Sequence, residues 1–119
     1  MEKNLVYSEL LSIYRGLLTP KQVEAMEYYY DSDYSLGEIS ELMDISRQGV
    51  RDFIKRAEAI LDEMESKLNL IEKFRAAGII RDNTEEIRSL NRQMYKSNAI
   101  DALTETILNK LEVLENGVE

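Results

Sequence analysis

Apolar residues recur every three or four positions along nearly the whole chain. Strand-like alternation is absent, and there is one proline and five glycines in 119 residues. That pattern predicts helix in every element. The first helix is expected over residues 3–15, with Leu5, Leu10, Leu11, Ile13 and Tyr14 on its apolar face and Gly16 ending it. Thr19, Pro20 and Gln22 then make an N-cap, a proline at the first helical position and a capping box, with Leu18 and Val23 as the hydrophobic staple. The second helix carries Val23, Met26 and Tyr28-Tyr29-Tyr30 before Asp31-Ser32-Asp33 stops it. Ser35 and Glu38 repeat the capping box, with Tyr34 and Ile39 as staple, for a short third helix reaching Met43.

Asp44 tolerates the left-handed backbone of a tight turn, and Ser46 caps a fourth helix with Ile45 and Val50 as its staple. Two capped helices across such a turn fit a helix-turn-helix, whose second helix enters the major groove N-terminal end first. Val50, Phe53 and Ile54 can fill the crossing, with Ser40 as the small partner. The fourth helix continues as a heptad-like seam, Val50, Ile54, Ala57, Leu61, Met64, Leu68 and Ile71. That seam serves either as a dimer interface or as the surface on which the last two helices pack. Ala76-Ala77-Gly78 is expected to break it and residues 79–83 to form a linker. A fifth helix from Thr84 then carries Ile87, Leu90, Met94 and Tyr95, and a sixth over residues 98–115 carries Ile100, Leu103, Ile107, Leu111 and Leu114. The expectation is an all-α chain: a helix-turn-helix domain with an extended helix over residues 1–75 and a C-terminal helical extension over residues 76–119.

Charge sharpens this. The chain carries −8 overall, yet residues 46–56 hold four cations and one anion, while the segments on either side are acidic. A basic domain collects phosphate anywhere on its surface, whereas this one is repelled from nucleic acid except at that helix. Ser46, Arg47, Gln48, Arg51, Lys55 and Arg56 are the candidate DNA-binding residues. Arg pairs bidentately with guanine and Gln with adenine; Lys55, Arg56 and the Ser46 hydroxyl suit phosphate. Gly49 lies in the first turn, where close approach of DNA or of the third helix would explain it.

Other chemistry is thin. Without cysteine or histidine, thiol nucleophiles, imidazole acid–base catalysis and Cys/His zinc sites fall together. No catalytic residue, cofactor or metal is expected. Asp31, Asp33 and Ser35 have calcium-loop spacing, but Leu36 stands where glycine is needed and Leu42 where the bidentate glutamate belongs. Three consecutive tyrosines cannot form one stacking platform, because neighbours on a helix point in different directions. Glu58, Asp62, Glu63 and Glu65 read as a solvated face. No apolar stretch approaches a membrane span, and a cytoplasmic bacterial protein, not an enzyme, is expected.

The stretch LLTPKQVEAMEYYYDSDYSLGEISELMDISRQGVRDFIKRAEAIL resembles region 4 of bacterial sigma factors. The whole chain, from NLVYSELLSIYRGLLTPKQ through ESKLNLIEKF to the acidic end, resembles the YlxM family of small bacterial proteins. Asp44 stands in place of the usual turn glycine and Ser40 in place of the usual alanine, and there is no promoter-melting region. The resemblance implies DNA binding through Ser46, Arg47, Gln48, Arg51 and Lys55, and a link to the signal recognition particle pathway. The partners it suggests are duplex DNA and the particle's GTPase or RNA; a second copy of the chain is the partner that the heptad-like seam suggests. The competing expectation is an adapter that binds the particle through the basic helix or the acidic C-terminal bundle.

Overall fold

The structure, a computed structural model, describes residues 3–116, among which there are six α-helices and no strand. Helix α1 (Val6–Tyr14) runs into a 3-10 turn, Arg15–Leu17; α2 (Pro20–Met26) widens into a π turn, Glu27–Asp31. Then follow α3 (Leu36–Met43), α4 (Arg47–Leu68), α5 (Leu70–Leu90) with a second π turn at Asn91–Tyr95, and α6 (Asn98–Glu115). The all-α class expected from periodicity is the one observed. Both capping boxes form: Thr19 exchanges bonds with Gln22, and Ser35 with Glu38. The chain divides into two compact units at Asn69 and Leu70.

In the first unit the fourth helix is the centre. Val50, Ile54, Ala57 and Leu61 are completely buried, and α1, α2 and α3 all pack on α4. The seam is therefore core in its first half, where the three preceding helices cover it. Farther along, Met64 is half-buried and Leu68 exposed. The reason lies in α1: Leu10, Leu11, Ile13 and Tyr14 are all buried.

The tyrosines and the supposedly solvated carboxylates meet each other. Tyr30 donates to Glu58 (2.8 Å), Tyr7 to Asp62 (3.0 Å) and Tyr14 to Glu65 (2.7 Å), so three phenols hold three carboxylates on successive turns of α4. Asp62 and Glu63 remain exposed, Glu63 paired with Lys67, whereas Glu58 and Glu65 are half-buried. The π turn aims the tyrosine run. Ser32 N–H bonds back to the Glu27 carbonyl five residues earlier; Tyr29 and Tyr30 turn inward, and Tyr28 stacks obliquely on Tyr34. Asp31 accepts from Ser8 and Asp33 pairs with Lys3, so the aspartates at calcium-loop spacing are each used locally.

The helix break falls elsewhere than expected. Ala76, Ala77 and Gly78 and the supposed linker over residues 79–83 all lie inside α5. Alanine is the best helix former, and one interior glycine costs only about 1 kcal/mol, which neighbouring turns tolerate. The break sits at Asn69, which takes a left-handed backbone (φ 50°) and bonds its N–H to the Glu65 carbonyl. Asparagine adopts that conformation more readily than other non-glycine residues.

The second unit is a hairpin of α5 and α6. Its turn is held by Asn91, 2 % exposed: the side-chain amide donates to the Ser97 carbonyl and accepts from the Ser97 N–H. Lys96 supplies the left-handed residue (φ 52°), and Ser97 caps α6 by accepting from Ile100 N–H. The buried or half-buried residues mix apolar and polar side chains: Leu70, Ile71, Phe74, Ala77, Gly78, Arg81, Thr84 and Arg88 on α5, Asn91 in the π turn, and Ile100, Asp101, Thr104, Leu108, Leu111 and Glu115 on α6. Arg81 pairs with Glu115 and Arg88 with Asp101.

Removing the clasp leaves a part-buried backbone N–H and carbonyl at Ser97 without these partners, at a cost of up to about 1–3 kcal/mol each. Asn91→Ala should therefore speed amide hydrogen exchange across α6 by one or more orders of magnitude while leaving α4 protected. Equal protection of α6 in both proteins would show that the clasp is dispensable.

Burial, then the bond to Asp62 and the nearby carboxylate charges, pushes the Tyr7 phenol up to about 12, and burial with the Glu58 bond raises Tyr30 in the same direction. A folded-state value above the unfolded one, about 10, means that this stability is complete below pH about 10 and is lost as pH rises through the folded value. The denaturation midpoint should fall above pH about 10, and Tyr7→Phe should flatten that fall. An unchanged slope in Tyr7→Phe would remove Tyr7 as its source.

Candidate nucleic-acid interface

Helix α3, the turn at Asp44 and helix α4 form a helix-turn-helix held by a small set of bonds. Asp44 has φ 54°, and the Ile45 N–H bonds to the Ser40 carbonyl. The Ser40 hydroxyl donates to the Ile45 carbonyl at 2.5 Å, so the residue expected only to be small at the crossing also fastens the turn. Val50 and Ile54 are fully buried there and Phe53 half-buried.

The Ser46 hydroxyl accepts from the Gly49 N–H at 2.9 Å, which leaves its own proton available to donate outward. Gly49 is explained by this cap. A Cβ there would stand 3.2 Å from the Ser46 hydroxyl and 3.5 Å from the Ile45 methyl. The neighbour that needs the space is thus the preceding turn, rather than the third helix.

All six expected residues are exposed, but the structure uses them differently. Arg51, Lys55 and Arg56 form no ion pair or hydrogen bond among the described residues. Arg47, Arg51 and Lys55 follow one another at four-residue intervals, so they make a stripe with steps of about 6 Å. The Arg47 guanidinium folds back over the start of α3, within 3.1–3.3 Å of where a Gly37 Cβ would stand. Gln48 donates to Asp52 at 3.0 Å and is engaged within its own helix. Asp52 is the one anion of the segment, and it stands between Gln48 and Arg56 at four-residue intervals. Sequence reasoning passed over both Asp52 and Gly37. The first was signalled by its i,i+4 spacing from Gln48; the second, a contact between helices, had no local signal.

What this arrangement can do is present cations to a polyanion. The first turn of α4 also presents backbone N–H groups that lack helical partners, and these favour phosphate. Among the described residues no cluster of acidic side chains could hold a metal ion, and no helix is long and apolar enough to cross a membrane.

Residues 1–103 match the family model UPF0122, described as "Putative helix-turn-helix protein, YlxM / p13 like". A UPF0122 protein of Limosilactobacillus reuteri is 41% identical over 115 residues, covering 97% of this chain and 96% of the relative. One from Shouchella clausii is 41% identical over 118 residues, covering 97% and 99%. Another, from Acetivibrio thermocellus, is 49% identical over 87 residues, covering 69% of this chain and 74% of its own.

The cap has a measurable weight. Ser46→Ala should lower stability by about 1 kcal/mol, and Ser46→Asp should retain most of it, since aspartate caps as well as serine. Urea denaturation checks this; equal midpoints for wild type and Ser46→Ala would show that the cap contributes nothing.

Proposed function

This chain belongs to the UPF0122 family of helix-turn-helix proteins, and from that premise we propose that it is a non-enzymatic regulatory protein that binds duplex DNA through the start of α4. The observation that carries the reading is the stripe of cations without ion pairs on the capped second helix, in a chain of net charge −8. Arg51 is the base-reading candidate, at the middle of the stripe. Lys55 and Arg56 lie farther along the helix and suit phosphate, with the Ser46 hydroxyl at the helix start. Arg47 and Gln48 join on binding, when the one leaves the Gly37 surface and the other exchanges Asp52 for a base. The likeness to sigma region 4 supports the same docking direction.

A second reading is an adapter for the signal recognition particle, its GTPase or its RNA. The acidic surface outside the stripe favours it, because such a surface disfavours long tracts of duplex. Capture of particle components by wild type but not by an Arg47→Glu/Arg51→Glu variant would support it; no capture by wild type would end it.

For the DNA reading, duplexes selected from a random pool should bind in a salt-dependent way. Arg51→Ala should cost about 1–3 kcal/mol and relax preference at one base pair, whereas Lys55→Ala should weaken all sequences alike and lower the salt slope by about 1. Enrichment of structured RNA over any duplex, or unchanged affinity of Arg51→Ala across sequences, would overturn the assignment.

A further inference from the structure

Glycine at position 37 has no local reason. It is the second residue of α3, its backbone is not in the left-handed region, and within a helix glycine costs more than alanine would. What takes up the space is one side chain from the other helix. The three heavy atoms nearest to where a Gly37 Cβ would stand all belong to Arg47: Nη2 at 3.1 Å, Nε at 3.2 Å and Cζ at 3.3 Å. Unstrained contacts between carbon atoms lie at about 3.5–4.0 Å. The guanidinium is therefore closer to the α3 backbone than a side chain at position 37 would permit.

Its surroundings give it a place but no partner. The hollow beside Gly37 is lined by Lys3, Tyr29, Asp33, Ser35 and Glu38 as well as Arg47. Its two carboxylates are engaged elsewhere: Asp33 holds Lys3 at 2.7 Å, and Glu38 accepts from the Ser35 N–H at 3.1 Å. Lys3 brings a second cation to the hollow, and the first turn of a helix carries partial positive charge. Arg47 itself forms no ion pair or hydrogen bond among the described residues. Shape holds the guanidinium there and charge does not. Such a position is occupied at rest and surrendered to an anionic group that offers bonds.

We infer that Gly37 is a resting seat for Arg47, an autoinhibitory contact across the helix-turn-helix that withholds this cation from nucleic acid until the protein is docked in register. The inference rests on the reading of the α4 start as the nucleic-acid face. Arg47 is the first residue of α4, the end whose side chains reach base edges. Seated, it leaves the line of Arg51 and Lys55 one cation short in every chance encounter with phosphate, which lowers sequence-independent affinity. In a fitted complex, bonds to a base or phosphate offset the cost of leaving the seat. The device therefore separates fitted from unfitted sites. The net charge of −8 cannot do this by itself, because overall repulsion weakens both alike.

Filling the seat should strengthen loose binding. On a duplex of unrelated sequence, Gly37→Leu should bind about three- to tenfold more tightly than wild type, since apparent affinity scales with the fraction of molecules in the competent state. Its log–log salt slope should steepen by up to about 0.9, the mark of one further phosphate contact. Gly37→Ala, which displaces the guanidinium by only a few tenths of an ångström, should give a smaller gain in the same direction. The gain must come through Arg47: Gly37→Leu/Arg47→Ala should bind no more tightly than Arg47→Ala. Unchanged or weakened binding by Gly37→Leu overturns the inference, and so does a gain that survives the loss of Arg47. Should Gly37→Leu fail to fold, Arg47→Lys keeps the charge and the glycine but not the planar group, and it should show the same tighter, steeper binding. Nitrogen-15 relaxation of the arginine Nε–H groups tests the seat without nucleic acid. In wild type Arg47 should be more ordered than Arg51, and Gly37→Leu should erase the difference; equal mobility in wild type overturns the seat. Absence of binding to any duplex, with that difference in place, would instead remove the nucleic-acid reading, and with it the role given to the seat, while leaving the contact.

Discussion

The first unit depends on one stripe of one helix. Val50, Ile54, Ala57 and Leu61 have no exposed surface, and three other helices find their positions by packing on them. Burying four such side chains removes several hundred Å² of apolar surface from water, worth about 25 cal/mol for each Å². The same helix therefore has two duties at different distances along its length. Its inner face is the core, and the outer face of its first turns carries Arg51, Lys55 and Arg56. Anything that displaced the core stripe would redirect the cations with it.

Charge is arranged to the same end. In a chain with eight more anions than cations, the carboxylates nearest the centre are held by neutral donors, the phenols of Tyr7, Tyr14 and Tyr30. Arginine and lysine are consequently not needed there. That leaves the α4 stripe without acidic partners apart from Asp52, which is turned toward Gln48.

Much of the first unit was legible because its signals are local. Thr19 with Gln22, Ser35 with Glu38, Asp44 and Ser46 each declare their role within four residues, and the structure puts each cap and the turn where that chemistry requires. Signals that depend on a distant partner were not readable. The carboxylates Glu58, Asp62 and Glu65 resemble any solvated helix face until tyrosines 28 to 55 residues away reach them. The break near Gly78 was misplaced because glycine advertises a stop more loudly than asparagine, yet Asn69 is where the backbone turns left-handed. For the candidate site the exposed stripe was evident, but the resting places of Arg47 on Gly37 and of Gln48 on Asp52 needed three dimensions.

The three phenol bonds to α4 have one further consequence. A helix in a groove-reading role must hold a particular roll about its own axis, since slipping by a single residue replaces every outward side chain by its neighbour. Hydrophobic packing alone resists such a roll softly, because apolar contacts are non-directional. Hydrogen bonds are directional, and these three sit on successive turns beyond the basic stripe. They index the orientation of α4 from the end that nucleic acid would not touch. Sequence drift at Tyr7, Tyr14 or Tyr30 could thereby change which residues face outward at Arg51 without altering any of them.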